Sequence, residues 1–290
     1  MDNGPILVTG GSGQIGNAIA QLAASRRIEY CAPASAALNL SDPASICEWV
    51  GKVRWSAVIN CAAYTAVDRA EGDAELATVI NTEGPAVLAR ETAARGIPIV
   101  HVSTDYVFDG SKAAPYLEDD PINPLGVYGK TKADGEGAVR RENPHHAIVR
   151  TAWVQSVGGA NFINTMINKG SITEEMRVVG DQIGCPSSAF DIAAALLEIA
   201  SNLGERRGTW HFVNRGDATW HELAAYVFDA MAVRGMKVPR LNAITTAEYP
   251  TRAQRPVNSR LCTQKFQQDF GMKPRHWHDA MDKILSERLG

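Results

Sequence analysis

A glycine-rich turn between an apolar strand and a helix limits the folds open to this chain. The apolar run Ile6-Leu7-Val8 precedes it, glycines stand at positions 10, 13 and 16, and apolar residues then recur at helical spacing up to about Ser25. Because glycine has no side chain, the backbone can turn sharply and approach a pyrophosphate, whose charge meets free N–H groups at the helix N-terminus. The turn therefore predicts a dinucleotide site in an α/β protein.

The rest of the N-terminal half repeats this alternation of strand and helix. Strands are predicted at residues 28–31, 57–60, 97–102 and 147–150, and helices at 43–50, 74–95 and 128–140. Such alternation favours a Rossmann-type doubly wound parallel sheet with helices on both faces. We predict a dinucleotide-binding domain at residues 1–152, with a long surface loop at 103–125. A smaller, mainly substrate-binding C-terminal lobe is expected at 153–290, with a strand and helix near 181–214 rejoining the first domain.

Charge and composition exclude several classes of protein. The net charge of -3 gives no electrostatic footprint for nucleic acid or an anionic membrane. No apolar run reaches the roughly 18 residues of a membrane span, and residues 1–5 carry no basic region ahead of an apolar stretch. The five cysteines form no CxxC pair, and His276 and His278 lack nearby partners at metal-ligand spacing. We expect a cytoplasmic protein without a metal site, as a monomer or homodimer.

A tyrosine and a lysine stand four residues apart at the start of a predicted helix. Positions i and i+4 share one helix face, so the heads of Tyr128 and Lys132 can converge. On its own, such a pair is most simply a surface feature of an amphipathic helix. With a dinucleotide site upstream and Ser103-Thr104 just after a strand, hydroxyl, phenol and ammonium groups can gather at the strand ends. We predict that Tyr128 donates a proton to a ketone and that Lys132 lowers the pKa of its phenol.

Several longer segments, taken together, resemble the dTDP-4-dehydrorhamnose reductases, which are extended short-chain dehydrogenases/reductases. The segments span residues 8–16, 60–68, 103–110, 128–132, 150–154, 181–186 and 255–261. The resemblance implies reduction of the 4-keto group of dTDP-4-dehydro-L-rhamnose to dTDP-L-rhamnose, with NADPH or NADH as the reductant.

The resemblance also implies roles for individual residues. Thr104, Tyr128 and Lys132 are the expected catalytic residues, and Lys132 is also expected to bind the nicotinamide ribose. The expected cofactor-binding residues are Gly10, Gly13, Gln14, Ile15, Gly16, Asn39, Leu40, Cys61, Ala62, Ala63, Tyr64 and Lys132. The expected substrate-binding residues are Val67, Ser103, Thr104, Asp105, Phe108, Tyr128, Trp153, Arg255 and Asn258.

The chain departs from the family at two positions that bear on its ligands. Asn39 stands where an aspartate is common, and the second predicted strand ends without a carboxylate for the adenosine ribose. NADPH is therefore favoured, and NADH stays open. Phe190 lies near the position of acidic residues that hold magnesium at a dimer interface in some relatives, and phenylalanine cannot ligate a metal.

Three other functions are compatible with parts of the pattern. An epimerase or dehydratase is disfavoured, because sugar dehydratases of this group follow the threonine with Asp-Glu, whereas Thr104 is followed by Asp105 and Tyr106. A reductase of a different nucleotide-linked 4-keto-deoxysugar stays open, since the pocket lining decides the sugar. A non-catalytic, nucleotide-binding regulatory subunit would not need the complete set of Thr104, Tyr128 and Lys132.

Overall fold

The computed structural model describes residues 4–290, so residues 1–3 of the predicted first domain and of the N-terminal segment lie outside it. The strands are β1 Ile6–Thr9, β2 Tyr30–Cys31, β3 Ala57–Asn60, β4 Ile99–Thr104, β5 His146–Thr151, β6 Val154–Gln155, β7 Glu175–Val179, β8 Ile183–Gly184, β9 Ser187–Ser188, β10 Gly208–His211, β11 Ala218–Thr219 and β12 Arg240–Ile244. The helices are α1 Gln14–Arg26, α2 Pro43–Gly51, α3 Val67–Ala70, α4 Ala74–Thr78, α5 Gly84–Ala93, α6 Val127–Glu142, α7 Phe162–Gly170, α8 Ala189–Asn202, α9 Trp220–Val233, α10 Gln264–Phe270 and α11 Trp277–Leu289.

Within residues 4–290, the central sheet has six parallel strands in the order β10-β5-β4-β3-β1-β2. The chain leaves β1 toward β2 on one side and returns to build β3, β4 and β5 on the other. Helices α1 and α8 pack on one face, and α2, α5 and α6 on the other. The strands β1 and β3 are fully buried because both faces are covered. This is the predicted doubly wound α/β arrangement.

Local chemistry explains where two of the helices begin. Asp42 caps α2 by accepting a hydrogen bond from the amide of Ala44 at 3.0 Å, and Pro43 occupies the first turn. Helix α6 starts at Val127, whose amide donates to Glu71 at 2.8 Å. Glu71 lies 56 residues earlier in the chain, so the start of the helix that carries Tyr128 depends on a tertiary contact.

Two sequence predictions require correction. The helix expected at 74–95 is interrupted by a π-helical turn, Val79–Glu83, in which the side chain of Asn81 bonds the backbone N–H and C=O of Tyr64 and the hydroxyl of Thr131. The loop expected at 103–125 begins later, because β4 continues to Thr104 and a 3₁₀ turn, Asp105–Val107, follows.

The C-terminal part packs a second core of its own. Helices α7, α9 and α11 surround buried residues such as Met231 and Trp277, and β7 pairs in parallel with β12 beside them. Strand β12 was not predicted from the sequence, because residues 240–244 form neither a continuous apolar run nor a strict alternation of apolar and polar residues. None of the helices formed by residues 4–290 is long and apolar enough to cross a membrane.

Candidate active site

A cavity of about 820 Å³ opens at the carboxyl ends of the central strands. Its lining includes Gly10 after β1, Cys61 after β3, Thr104 at the end of β4 and Thr151 at the end of β5. The strand order reverses at β1, because β2 lies on one side of it and β3 on the other, and this is the position where open α/β sheets form ligand crevices. The topology alone therefore places this cavity at a binding position.

One end of the cavity is built from backbone. Gly10 has φ = +68°, and a Cβ on it would lie 2.7 Å from the amide nitrogen of Ala62. A Cβ on Gly16 would lie 2.3 Å from the carbonyl oxygen of Gly10. In the described chain no side chain caps α1 at Gly13, and its first turn carries no acidic residue. Free amides at a closely packed helix N-terminus suit a dinucleotide pyrophosphate.

The side wall beyond this turn is mostly neutral. It includes Ser35, Leu38, Asn39 and Leu40, and the side-chain oxygen of Asn39 accepts hydrogen bonds from the amide and hydroxyl of Ser41. This stretch of wall, residues 35–40, has no carboxylate. A 2′-phosphate would meet no negative charge there, which agrees with the preference for NADPH inferred from the sequence.

Tyr128, Lys132 and Thr104 all line the cavity, and Tyr128 is hydrogen-bonded to Thr104. Helix α6 approaches the end of β4 closely because Gly129 has no side chain: a Cβ there would lie 2.2 Å from the carbonyl oxygen of Tyr106. Tyr106 packs edge-on against Tyr128, with ring centroids 5.6 Å apart. The close helix approach brings the phenol to the strand end that carries Thr104.

Burial dominates the electrostatics of the tyrosine and lysine. It raises the pKa of Tyr128 to about 12, although a hydrogen bond with Thr104 acts in the opposite direction. It lowers the pKa of Lys132 to about 8. The Lys132 ammonium donates to the carbonyl oxygen of Val102 at 2.7 Å and lies 3.4 Å from Nε2 of His101. The predicted lowering of the Tyr128 pKa is thus replaced by a net rise, because burial outweighs the hydrogen bond with Thr104 and the charge of Asp105 adds to the rise.

The other end of the cavity is built from side chains. Trp153 and Trp220 stack with ring centroids 3.4 Å apart and planes 3° from parallel. Among the described residues, three buried polar atoms that belong to lining residues have no hydrogen-bond partner: Ser103 Oγ, Asp105 Oδ2 and Thr151 Oγ1. Burial also raises the pKa of Asp105 to about 6. Aromatic walls and unpaired polar groups together suit a sugar, which has apolar ring faces and hydroxyl groups.

Comparison with known proteins identifies the family. The profile of the RmlD substrate binding domain matches residues 4–289. The dTDP-4-dehydrorhamnose reductase of Sinorhizobium fredii is 38% identical over 288 residues, which cover 97% of this chain and 96% of that protein. The chain belongs to the dTDP-4-dehydrorhamnose reductase family.

Solved structures from this reductase family have the same fold. The dTDP-4-dehydrorhamnose reductase of Clostridium acetobutylicum matches with a TM-score of 0.93 at 35% identity, covering 99% of this chain and 100% of that chain. The Bacillus anthracis enzyme, solved in complex with NADP, matches with a TM-score of 0.92 at 30% identity, covering 98% and 99%. The family resemblance and the α/β fold class predicted from sequence are confirmed.

Most of the residues predicted for this reductase site line the one cavity. They are Gly10, Gly13, Gln14, Ile15, Gly16, Asn39, Leu40, Cys61, Ala62, Ala63, Val67, Ser103, Thr104, Asp105, Tyr128, Lys132 and Trp153. They come from nine separate stretches of the chain. Their individual roles stay predictions.

Two residues predicted to contact a ligand, Tyr64 and Phe108, are not part of the cavity lining. Tyr64, expected in the cofactor cleft, directs its hydroxyl to Asp73 at 2.7 Å, and its backbone is held by Asn81. Phe108, expected to touch the substrate, is completely buried and stacks on Tyr116 with ring centroids 4.1 Å apart. Both residues shape the segments that carry the lining, and the described geometry gives no support for direct contact with a ligand.

Two more predicted substrate-binding residues, in the C-terminal lobe, form hydrogen bonds with other parts of the protein and do not line the cavity. Arg255 bonds Asp68 at 2.8 Å, and its guanidinium lies 5.9 Å from the ring of Tyr106, which does line the cavity. Asn258 is buried and donates to the carbonyl oxygen of Ala114 at 3.0 Å. Arg255 is thus at the rim of the site, whereas Asn258 holds the loop behind it.

Sequence reasoning missed Trp220 and Asn81. Trp220 lines the cavity, but it stands 67 residues after Trp153, so the sequence gives no sign that the two rings meet. An apolar residue at the start of a predicted helix is equally well explained by packing in the core. Asn81 does not line the cavity; it ties the turn at Tyr64 to Thr131 on the helix of Tyr128. The only sequence signal for Asn81 was an amide side chain within a long apolar helix pattern.

Proposed function

We propose that this chain catalyses the reduction of the 4-keto group of dTDP-4-dehydro-L-rhamnose to dTDP-L-rhamnose, with NADPH as the preferred reductant and NADH also accepted. One observation carries the proposal: Thr104, Tyr128 and Lys132 line a single cavity that is also lined by the glycine turn. The names of the similar proteins, and the NADP bound to the Bacillus anthracis enzyme, support the choice of substrate and cofactor.

The backbone end of the cavity is the proposed cofactor site. The amides that follow Gly10 and Gly13 would bind the pyrophosphate, and the wall at Asn39 and Leu40 would face the adenosine. Lys132 would bind the nicotinamide ribose. When bound, the reduced cofactor supplies the hydride.

The side chains at the centre are proposed to control the proton. Because its pKa is raised to about 12, Tyr128 stays protonated at neutral pH and is available as a donor. An alkoxide at the sugar C4 is a stronger base than a phenolate, so the transfer of this proton is downhill. The hydroxyl of Thr104 would hold the ketone beside the phenol, and the Lys132 ammonium would stabilise the phenolate that remains.

The polar groups at the sugar end are proposed to orient the substrate. Asp105 and Thr151 have buried oxygen atoms that are unpaired within the described residues, and sugar hydroxyls would satisfy them. Trp153 would cover an apolar face of the sugar. Arg255, at the rim beside Tyr106, would meet the diphosphate.

The proposal also includes the division into two units, the cellular location and the oligomeric state. The dinucleotide-binding unit is residues 1–152 and the mainly substrate-binding lobe is 153–290, with β10 returning to the first unit by pairing with β5. The chain is expected to work in the cytoplasm as a monomer or homodimer.

The decisive test follows nicotinamide absorbance with dTDP-4-dehydro-L-rhamnose, comparing NADPH with NADH and the wild type with Tyr128→Phe. We expect turnover by the wild type and a loss of kcat of at least about a hundredfold in the variant, because the proton donor is removed. NADPH affinity should be unchanged. Tyr249→Phe, at an exposed position outside the cavity, is the matched control.

Two results would contradict the proposal. Full activity of Tyr128→Phe would show that the Tyr128 phenol is not the proton donor. A wild type that binds NADPH but reduces no nucleotide-linked 4-keto sugar, and that co-purifies stoichiometrically with another enzyme, would instead indicate the regulatory subunit.

A further inference from the structure

Trp153 has a strained backbone at the sugar end of the cavity. Its φ is +46°, a region that bulky residues rarely adopt. Such a conformation persists only where the surrounding structure enforces it, and it is typical of binding sites. The contacts that enforce it here are therefore part of how the site is built.

A glycine and a second tryptophan hold the Trp153 indole in place. A Cβ on Gly184 would lie 2.4 Å from Cε2 of this ring, so only glycine leaves room for it. Trp220 lies parallel to the indole at 3.4 Å. Strand β8, which contains Gly184, pairs with β11, and Gly184 faces Ala218, two residues before Trp220. One strand pair thus sets the positions of both contacts.

Trp220 is itself fixed by its surroundings. It is the first residue of α9, whose start is held by a capping box in which Thr219 and Glu222 bond each other's backbone amides. The ring of Phe162 packs on Trp220 with centroids 4.7 Å apart. Trp220 therefore forms a rigid support rather than a mobile cover.

The stack lies at a fixed spacing from the proposed reaction centre. Thr151 pairs with Thr104 across β5 and β4, and Trp153 follows two residues later. A shift of the Trp153 backbone to an ordinary φ would move its indole out of the stack with Trp220 and so change its position relative to Thr104. The position of Trp220 thus decides how far the aromatic wall stands from the groups that hold the ketone.

We propose that Trp220 is a substrate-positioning and specificity-determining residue: by stacking on Trp153 it fixes the wall against which the apolar face of the deoxysugar packs. The inference rests on the proposed function and deepens it. Trp220 acts through Trp153, so its loss affects sugar binding more than proton transfer, and the backbone-built cofactor end is unaffected.

The test compares Trp220→Leu, which keeps apolar bulk without a ring, with Trp220→Phe, which keeps a ring that can stack. For Trp220→Leu we expect the KM for dTDP-4-dehydro-L-rhamnose to rise about tenfold, as the loss of an aromatic stack predicts. The value of kcat should change by less than about threefold and the Kd for NADPH should stay constant. Trp220→Phe should recover most of the KM.

Circular dichroism provides a signature that a general structural role would not produce. Two stacked indoles couple and give an exciton couplet, which should disappear in Trp220→Phe and in Trp153→Phe. Trp277→Phe is the matched control, because Trp277 is buried in the same C-terminal core but does not line this cavity. That variant should keep the couplet and the wild-type KM.

A measurement on the unmodified protein keeps the inference testable if Trp220→Leu fails to fold. Because the stack is rigid, the couplet should persist when dTDP-L-rhamnose is added to saturation, with saturation shown by equilibrium dialysis, and when NADPH is added alone. A couplet that disappears at saturation would overturn the inference, because the stack would then not persist beside the bound sugar, as would a Trp220→Leu enzyme with wild-type KM. A wild type that neither binds nor reduces the nucleotide sugar would instead contradict the proposed function itself.

Discussion

The two ends of the cavity differ in what lines them: backbone atoms at the cofactor end and side chains at the sugar end. At the cofactor end, Gly10 and Gly16 bring backbone atoms so close together that any Cβ would collide, and the ligand is met by amides. At the sugar end, Trp153 and Trp220 meet across 67 positions of sequence and the ligand is met by side chains. A backbone-built site appears in the sequence as one local motif, whereas a side-chain-built site appears only after folding.

The two ends also differ in electrostatics. The N-terminus of α1 presents partial positive charge from its amides, which does not depend on pH. The reaction centre and sugar end depend on buried ionisable groups, with the pKa of Lys132 lowered to about 8 and that of Asp105 raised to about 6. Mutation and pH should therefore separate the two ends experimentally.

The largest effect on the cofactor end is expected for Gly16→Ala. The added Cβ would lie 2.3 Å from the carbonyl oxygen of Gly10, so the turn must open at a cost of about 1–3 kcal/mol. We expect the Kd for NADPH, measured by fluorescence titration, to rise about tenfold or more. The KM for the sugar, measured at saturating NADPH, should change much less.

Gly137→Ala is the matched control for that experiment. Gly137 lies inside α6, and a Cβ there would have no described atom within 4 Å. The substitution should leave NADPH affinity unchanged and stabilise the helix by about 0.5–1 kcal/mol. Equal NADPH binding by Gly16→Ala and wild type would mean that the turn is not the pyrophosphate site.

The next effect is a pH dependence that arises at the reaction centre. The lysine ammonium exists below its pKa, so the reduction rate should be constant at lower pH and fall as pH rises through about 8, by about tenfold per unit. Tyr128 remains protonated up to about pH 12 and does not contribute to this break. The measurement is kcat against pH at saturating substrates.

Lys132→Met should be slow and lack the break near pH 8, because no ammonium remains to titrate. The KM for the sugar should also depend on pH. Protonation of Asp105 below about pH 6 should raise this KM and leave the affinity for NADPH constant. A break near pH 8 that persists in Lys132→Met would assign it to another group.

The smallest effect on catalysis is expected for Phe108→Leu. Phe108 is fully buried, stacks on Tyr116 and lies beneath the guanidinium of Arg150 at 5.0 Å. We expect a stability loss of about 1 kcal/mol in urea unfolding, with kcat and KM close to wild type. A variant with a raised KM and unchanged stability would instead support the direct contact between Phe108 and the substrate that the sequence predicted.

The sequence-based fold prediction was accurate where the pattern is local. The strand at Ile6–Thr9 and the helix start at Pro43 both follow from residues within one or two turns. It was wrong for the helix at 74–95, because the π-helical turn there places Asn81 to bond Tyr64 and Thr131. Those partners lie 17 and 50 residues away along the chain, so the local pattern around Asn81 gives no sign of them.

The sequence by itself determined the alternation of strands and helices, the glycine turn and the four-residue spacing of Tyr128 and Lys132, because each depends on short-range spacing along a strand or helix. Tertiary structure decided the rest. It half-buried Tyr128 and raised its pKa to about 12, left Phe108 and Asn258 buried outside the cavity lining, and brought Trp220 onto Trp153. Burial and stacking depend on which distant segments meet, and that is settled only when the chain packs.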